Sequence, residues 1–262
     1  MYAFDYRRPH SLNEADLALK AHPGAKLLAG GQTLIPAMKL RLAEPGQVVD
    51  LGGIGDLKGI TQKDGAIRIG AMTTHAAVAE STVVAAALPG LAALAAGIGD
   101  PHVRNRGTIG GSVANNDPGA DYPAAVLALG ATVHTSKRAI GADQFFNGLF
   151  STVLEESEII THIDFPVAER FAYAKFANPA SRYALVGVAV AKSKSGVRVA
   201  VTGAGASGVY RLPQAETALA ASFSAKAVDG LKIDASNLMS DIHAEADYRA
   251  HLIGVMLRRA VG

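Results

Sequence analysis

Two short stretches with adjacent glycines contain residue types that could bind an anionic ligand. They are Ala29-Gly30-Gly31-Gln32-Thr33 and Thr108-Ile109-Gly110-Gly111-Ser112. Adjacent glycines permit positive φ angles and let another group approach the backbone closely. Exposed N–H groups in such a turn form a concave anion site, which binds phosphate without a lysine. One stretch would serve a mononucleotide, so two of them favour a diphosphate shared between them, as in a dinucleotide.

The second stretch continues into Asp117-Pro118-Gly119-Ala120-Asp121. Because glycine, asparagine and acidic residues dominate it, residues 108–121 are interpreted as an ordered loop rather than a strand or a helix. Asp121 is an acceptor that suits a sugar hydroxyl group. A surface loop that only connects two elements would have the same composition, and for either glycine pair alone that interpretation stays open.

The segments around the first stretch predict a small β-α-β unit. A short strand covers 26–28, a helix covers 34–42 with Pro36 in its first turn, and a second strand covers 48–51. Ser11 to Glu14 has the spacing of a capping box, which predicts an earlier helix that ends near Gly24. A strand that runs through glycines into a helix presents N–H groups and the positive end of the helix dipole to an anion.

The rest of the chain alternates between sheet and helix patterns, and a domain boundary is predicted around 166–170. Period-2 alternation and the Asp64-Gly65 turn indicate strands, whereas runs rich in alanine and leucine indicate helices. The predicted segments are a hairpin over 60–69, helices from Thr73 or Thr74 to Glu80 and over 88–98 and 123–129, strands over 131–136 and 159–165, a three-stranded meander over 171–176, 185–192 and 197–202, and helices over 214–221 and 247–260.

Composition excludes several classes of protein. The chain has 262 residues, a net charge of +2 and no cysteine. The lack of cysteine excludes a disulfide framework, a cysteine nucleophile, an iron–sulfur cluster held by this chain and a cysteinyl-linked flavin. The basic residues are scattered and form no cluster of the kind that binds nucleic acid. The first residues lack the features of a signal peptide and the apolar runs are too short for a membrane span, so a cytoplasmic location is expected.

Two further patterns are interpreted as structural. Residues 203–208 match the dinucleotide pattern G-x-G-x-x-G, but that motif needs a helix to begin in the glycines, and residues 209–213 continue as extended chain. The eight histidines are scattered and none lies in a His-Glu-x-x-His motif, so no metal site is expected. The chain also has no nucleophile elbow and no lysine-bearing phosphate loop, so no catalytic residue is predicted.

The two glycine stretches, in this order, resemble the FAD-binding signatures of the medium, flavin-carrying subunits of molybdenum hydroxylases. Within that family the resemblance is strongest to the carbon monoxide dehydrogenase type, and it extends over essentially the whole chain. The segments that carry it are residues 29–36, 48–51, 69–74, 108–111, 117–121 and 254–260.

This resemblance implies an α+β protein of two domains. An FAD-binding domain of the PCMH or vanillyl-alcohol-oxidase type would span residues 1–166, with subdomains of about 1–57 and 58–166. Residues 167–262 would form a C-terminal flavoprotein domain with a three-stranded antiparallel sheet and a helical bundle.

The resemblance also assigns the residues around the cofactor. Residues 29–33 and 108–112 would hold the pyrophosphate through backbone N–H groups. The acidic end of the second stretch would contribute Asp117 and Asp121, and Asp121 would accept from an FAD hydroxyl group. Ile160 matches an apolar position against the flavin ring, and Lys175 and Tyr183 match positions close to the isoalloxazine.

The implied function is electron transfer by non-covalently bound FAD. The substrate would be hydroxylated at a molybdenum cofactor on a large partner subunit, and electrons would cross iron–sulfur clusters on a small partner to the FAD and then to an external acceptor. A dimer of heterotrimers is expected. The substrate stays open, as does the choice of quinone, NAD or oxygen as acceptor. Two other functions also stay open, namely a self-contained FAD-dependent oxidoreductase and a non-catalytic nucleotide-binding subunit.

Overall fold

Residues 5–57 fold around a three-stranded parallel sheet in the computed structural model, which describes residues 1–262. The elements are β1 (Asp5–Arg7), α1 (Leu12–Ala21), β2 (Lys26–Leu28), α2 (Leu34–Lys39) and β3 (Gln47–Asp50). Ser11 caps α1 by accepting from the N–H of Glu14 at 3.2 Å, as the capping pattern predicts. Strands β2 and β3 are parallel and joined through α2, which confirms the β-α-β unit. Helix α2 ends at Lys39, earlier than the predicted Leu42.

An antiparallel sheet forms the centre of residues 58–166. Its five strands are β4 (Ile60–Lys63), β5 (Ala66–Gly70), β6 (Thr132–Thr135), β7 (Ala139–Gly141) and β10 (Ile160–Pro166). A separate short pair, β8 (Phe146–Gly148) and β9 (Ser151–Thr152), lies between β7 and β10 in the chain. The five strands lie in the order β4-β5-β10-β6-β7. One face buries Ile67, Ile69 and Ile163 in the largest core. Because side chains alternate along a strand, Arg68 and Asp164 lie on the opposite face.

Seven helices accompany this sheet, and one of them corrects the sequence interpretation. They are α3 (His75–Ala79), α4 (Thr82–Ala87), α5 (Pro89–Ala96), α6 (Pro101–Arg106), α7 (Ile109–Asn115), α8 (Tyr122–Leu129) and α9 (Ala142–Phe145). The interpretation of residues 108–121 as a loop is wrong for α7. Thr108 caps this helix, and Ile109 and Val113 are fully buried. Tertiary packing of these two side chains outweighs the poor helix propensity of the glycines.

Residues 170–261 form a second antiparallel sheet with helices on it. The elements are β11 (Arg170–Ala177), β12 (Ala184–Ser193), β13 (Gly196–Thr202), β14 (Tyr210–Arg211), α10 (Pro213–Ala221) and α11 (Ala246–Val261). The predicted meander is confirmed, but β14 extends it to four strands. The apolar stripe of α11 is also confirmed, since Leu252, Met256 and Leu257 are buried. No helix begins in residues 203–208, as predicted.

The C-terminal sheet packs on both of its faces. Val188 and Val190 of β12 join the core beneath α11. Ala189 and Ala191 point to the other face and join the largest core, which the five-stranded sheet also lines. The predicted boundary at 166–170 lies between β10 and β11. The α+β class is confirmed. No helix is both long enough and apolar enough to cross a membrane.

Candidate functional site

The two glycine stretches lie against each other. A Cβ atom on Gly30 would lie 2.2 Å from the carbonyl oxygen of Arg106 and 2.7 Å from the Cα of Gly107. A Cβ atom on Gly111 would lie 3.4 Å from the Cβ of Ala29. Glycine at position 30 therefore permits a backbone contact that any other residue would prevent. Strand β2, which leads into residue 29, and helix α7, which follows residue 108, hold the two stretches in place.

The two stretches line one side of a cleft of about 740 Å³. A cleft of this volume lies within the range of about 300–1,000 Å³ that is usual for small-molecule sites. Every site residue that the sequence predicts lines this cleft except two. Ile109 is fully buried in the core, and Lys175 lies behind the cleft wall and contacts Asp121. The cleft therefore gathers residues that are far apart in the chain.

The first stretch supplies free backbone donors. The N–H groups of Gly30, Gly31, Gln32 and Thr33 donate no hydrogen bond within the protein. Gly31 has a φ of 76°, which turns the chain before α2, and its carbonyl accepts from the N–H of Ile35. A run of free N–H groups in a turn of this kind suits a phosphate group.

Four of the five N–H groups in the second stretch, those of residues 109–112, donate within the protein. Ile109 donates to the carbonyl of Thr73 at 3.1 Å and Gly110 to that of Ala71 at 2.9 Å. The N–H of Gly111 reaches the Thr108 hydroxyl at 3.2 Å, and that of Ser112 reaches the Thr108 carbonyl at 3.0 Å. This differs from the expectation that residues 108–112 offer their N–H groups to a pyrophosphate. The difference arises because residues 71–73 supply carbonyl acceptors to Ile109 and Gly110, while Thr108 caps α7.

Asp121 is buried and paired with residues of the C-terminal sheet. Its carboxylate accepts from the Tyr173 hydroxyl and lies 3.1 Å from Nζ of Lys175. Burial raises the pKa of Asp121, while Lys175 and Tyr173 act in the opposite direction. Tyr173 crosses directly over Gly187, where a Cβ atom would lie 2.1 Å from the tyrosine oxygen. Asp121 is predicted to accept from an FAD hydroxyl group, and its carboxylate also receives the donors of Tyr173 and Lys175.

Lys175 joins three segments behind the cleft. Besides Asp121, it donates to the carbonyl of Gly97 at 2.8 Å and to that of Arg182 at 3.1 Å. The ammonium group thus has three acceptors, which matches its three N–H donors. Lys175 therefore positions the cleft wall from behind.

Asp117, Ile160 and Tyr183 line the cleft on other sides. Ile160 begins β10 and is 5% exposed, so it presents only a small apolar surface. Tyr183 lies between the cleft and a smaller cavity of about 280 Å³. Burial and the nearby carboxylates of Asp117 and Asp121 raise the pKa of Tyr183, so the phenol is neutral. Burial also raises the pKa of Asp117, whose carboxylate accepts from the N–H of Gly119 at 2.9 Å.

Sequence reasoning missed His75. This side chain lines the cleft, is 5% exposed, and its Nδ1 atom has no hydrogen-bond partner. Burial, together with the charge of Arg104, lowers the pKa of His75 to about 4, so the imidazole is neutral. Thr74 gave a capping signal beside it, but that pattern does not indicate that the next side chain faces a cleft.

The segment 154–159 was also missed, and it forms a rim of the cleft. Glu158 fixes this segment, because its buried carboxylate accepts from Arg138, from Thr135 and from the N–H of Glu155. Burial alone would raise the pKa of Glu158, but the hydrogen bonds from these groups lower it to about 2. An acidic stretch normally indicates a solvated loop, so the sequence carried no signal for this role.

The chain belongs to a family of FAD-binding proteins. Residues 2–168 match the family described as the FAD binding domain in molybdopterin dehydrogenase. The match covers more than half of the chain and includes both glycine stretches. The fold and the cleft thus belong to an oxidoreductase subunit that carries FAD.

Individual relatives are similar in sequence over nearly the full length of this chain. The carbon monoxide dehydrogenase medium chain of Hydrogenophaga pseudoflava is 37% identical over 98% of this chain and 96% of that protein. The nicotine 6-hydroxylase medium subunit of Paenarthrobacter nicotinovorans is also 37% identical, over 99% of this chain and 96% of that protein. Reconstituted CO dehydrogenase from Oligotropha carboxidovorans contains a chain of similar fold, with a TM-score of 0.92 and 37% identity over 99% of this chain and 96% of that one. The predicted resemblance to medium subunits is confirmed.

Proposed function

We propose that this chain binds FAD in the cleft described above and serves as the electron-transfer subunit of a molybdenum hydroxylase complex. The observation that carries this proposal is the run of free N–H groups at residues 30–33, which faces a cleft of dinucleotide size in a chain of the FAD-binding family. These four adjacent donors have no protein partners and lie at an accessible cleft, so they are available to a bound anion.

Different residues of the cleft contact different parts of the cofactor. Residues 29–33 bind the pyrophosphate through their N–H groups, and Thr108 and Ser112 offer hydroxyl groups from the facing stretch. Asp117, Asp121 and Tyr183 offer polar atoms along the cleft, and Ile160 provides apolar contact for the flavin ring. Lys175 acts indirectly by holding Asp121. FAD supplies the capacity to take up electrons singly and to release two.

The partners follow from the type of subunit. Relatives are named medium chains or medium subunits of carbon monoxide dehydrogenase and nicotine 6-hydroxylase. This chain has no cysteine and therefore no ligands for an iron–sulfur cluster. We place the clusters on a small partner subunit and the molybdenum cofactor on a large one, in a dimer of heterotrimers in the cytoplasm. An external acceptor then takes electrons from the FAD.

The test compares the isolated chain with the complete native complex under anaerobic conditions. Carbon monoxide, an aldehyde and an N-heterocycle are offered in turn while the flavin absorbance is followed. We expect dithionite to reduce the flavin in both samples, but one of the substrates to reduce it only in the complex. Substrate turnover by the isolated chain would instead indicate a self-contained oxidoreductase. A bound nucleotide without redox activity would indicate the non-catalytic alternative.

A further inference from the structure

Three side chains with metal-binding atoms meet on the outer face of the five-stranded sheet. His162 of β10 pairs directly with His134 of β6 in the antiparallel register. Asp164 lies two residues further along β10, so its side chain lies on the same face. The opposite face carries Val133 and Ile163, which are fully buried in the core. The strand pairing therefore brings together two imidazoles and a carboxylate that are scattered in the sequence.

The distances between the three side chains suit coordination of one metal ion. His134 Nε2 lies 3.1 Å from Oδ2 of Asp164, and the two imidazole rings are stacked with centroids 4.2 Å apart. One ligand atom from each of the three residues lies within 4.8 Å of the others. Metal–ligand bonds of about 2.0–2.2 Å in a tetrahedral site separate neighbouring ligand atoms by about 3.3 Å. The two imidazole planes are 12° from parallel, so a shared ion requires one ring to rotate out of the stack until its in-plane lone pair points to the ion.

An independent observation also points to metal binding at this cluster. The Nε2 atom of His162 is buried and has no hydrogen-bond partner. Its Nδ1 atom lies 3.0 Å from the Thr161 hydroxyl, which fixes the orientation of the ring. A buried polar atom without a partner is uncommon and calls for an explanation.

Arg68 orients the carboxylate of this cluster. Its guanidinium donates to both oxygens of Asp164 at 2.8 Å. His134 Nε2 lies 3.1 Å from Oδ2 of the same carboxylate. A metal ion would bind between these two atoms, while Arg68 would keep the carboxylate in position as outer-shell partners commonly do. The positive charge of Arg68 opposes the binding of a cation beside it.

We propose that His134, His162 and Asp164 form a binding site for a divalent transition-metal ion such as Zn²⁺. Two imidazoles and one carboxylate suit this class of ion, whereas Mg²⁺ and Ca²⁺ prefer sets made of oxygen ligands. Water completes the coordination. Because the three ligands come from adjacent strands, the ion links β6 to β10. None of the three residues lines the FAD cleft, so the site is separate from the proposed function.

The experiment is a calorimetric titration of the full-length, chelator-treated chain with Zn²⁺ and, separately, with Mg²⁺. We expect one saturable Zn²⁺ site and no Mg²⁺ binding. His134→Gln and His162→Gln should each weaken Zn²⁺ binding by at least about tenfold. His102→Gln is the matched control, since His102 is an exposed histidine 3.7 Å from Asp100 and should be dispensable.

Two further measurements keep the outcome decisive. Far-UV circular dichroism shows whether each variant is folded, and Asp164→Asn provides a third variant that leaves both imidazoles in place. Electron paramagnetic resonance with Cu²⁺ as a probe should show nitrogen coupling from two imidazoles, and this coupling should change in His162→Gln. Absence of Zn²⁺ binding to the folded chain, or binding that His162→Gln leaves unchanged, would overturn the proposal.

Discussion

The missing side chain at position 30 controls how closely the two glycine stretches approach. In Gly30→Ala, the added methyl group would collide with the Arg106 carbonyl, 2.2 Å away, so the stretches must separate. We expect a loss of about 1–3 kcal/mol in the free energy of unfolding, as is typical of overpacking. FAD affinity should fall at least about tenfold, equivalent to 1.4 kcal/mol. Urea unfolding and FAD titration followed by flavin fluorescence measure the two effects.

Gly46→Ala is the control for this variant, because no atom lies within 4 Å of a Cβ built on Gly46 and its φ is not positive. It should leave both quantities unchanged. If Gly30→Ala bound FAD as tightly as the wild type, the close approach of the two stretches would have no bearing on the cofactor.

A second residue-level prediction concerns the buried pair of Asp121 and Lys175. Their side chains are 5% and 11% exposed, so Lys175→Met leaves a buried carboxylate without its cation. We expect a loss of about 3–5 kcal/mol in unfolding free energy at neutral pH. Asp121→Asn in the same background should restore most of it, because the amide carries no charge.

The pH dependence of Lys175→Met has a defined sign. Burial raises the pKa of Asp121 above its unfolded value, so ionising this group opposes folding. The stability of Lys175→Met should therefore fall as the pH rises and recover in acid, where the carboxyl is protonated. Urea unfolding at several pH values, compared with the double variant, checks this. A deficit that did not change with pH would show that Lys175 acts only through packing.

The rim segment 154–159 depends on one carboxylate. The hydrogen bonds to Glu158 lower its pKa to about 2, so its contribution to stability is present above the unfolded value of about 4.3 and is lost as the pH falls through the folded value. Glu158→Gln should be less stable than the wild type at pH 7 by up to about 3 kcal/mol. This difference should shrink steadily below about pH 4.3.

Urea unfolding between neutral and acid pH measures the difference between the two proteins, so that titration of the other carboxylates cancels. Glu156→Gln is the matched control, because the side chain of Glu156 makes no ion pair. An equal and constant effect of both substitutions would contradict the anchoring role of Glu158.

The helices and strands that the sequence predicted correctly are those whose sequence patterns lie within a few neighbouring residues. The β-α-β unit around residues 26–51, the hairpin at Asp64-Gly65 and the meander over β11, β12 and β13 each depend on periodicity and turn residues within a few positions. Helix α7 was missed because its glycines and asparagines favour turns. What makes it helical is the burial of Ile109 and Val113, a tertiary effect that local propensity does not contain.

Most of the predicted site residues line the cleft, but their hydrogen bonding was not predictable from the sequence. Glycine pairs identify where a backbone can meet an anion, and this located the part of the cleft wall that residues 29–33 and 108–112 form. Which N–H groups are free depends on partners elsewhere, such as the carbonyls of Thr73 and Ala71 that engage α7. The donors to Asp121 also come from a strand more than fifty residues away, and nothing in the sequence near Asp121 indicates them.

At the scale of the whole molecule, the C-terminal sheet holds the acidic end of the second stretch in place. The Thr202 hydroxyl lies 2.7 Å from the carbonyl oxygen of Ala120 and 3.0 Å from that of Pro118, and its one proton is shared between them. The N–H of Ala184 donates to the Gly119 carbonyl at 3.1 Å. Ala189, Ala191 and Ala200 also join the largest core. Residues beyond the predicted boundary are therefore part of the cleft structure, although the family match ends at residue 168.

The most direct test of the account is to identify what the purified chain binds. A visible absorption spectrum, followed by acid release and chromatography of the ligand, answers this in one preparation. We predict flavin bands that dithionite bleaches and stoichiometric release of intact FAD, which shows that the cofactor is not covalently bound. A colourless chain that also fails to take up added FAD would contradict the central claim, and the free N–H groups at residues 30–33 would then require another anion.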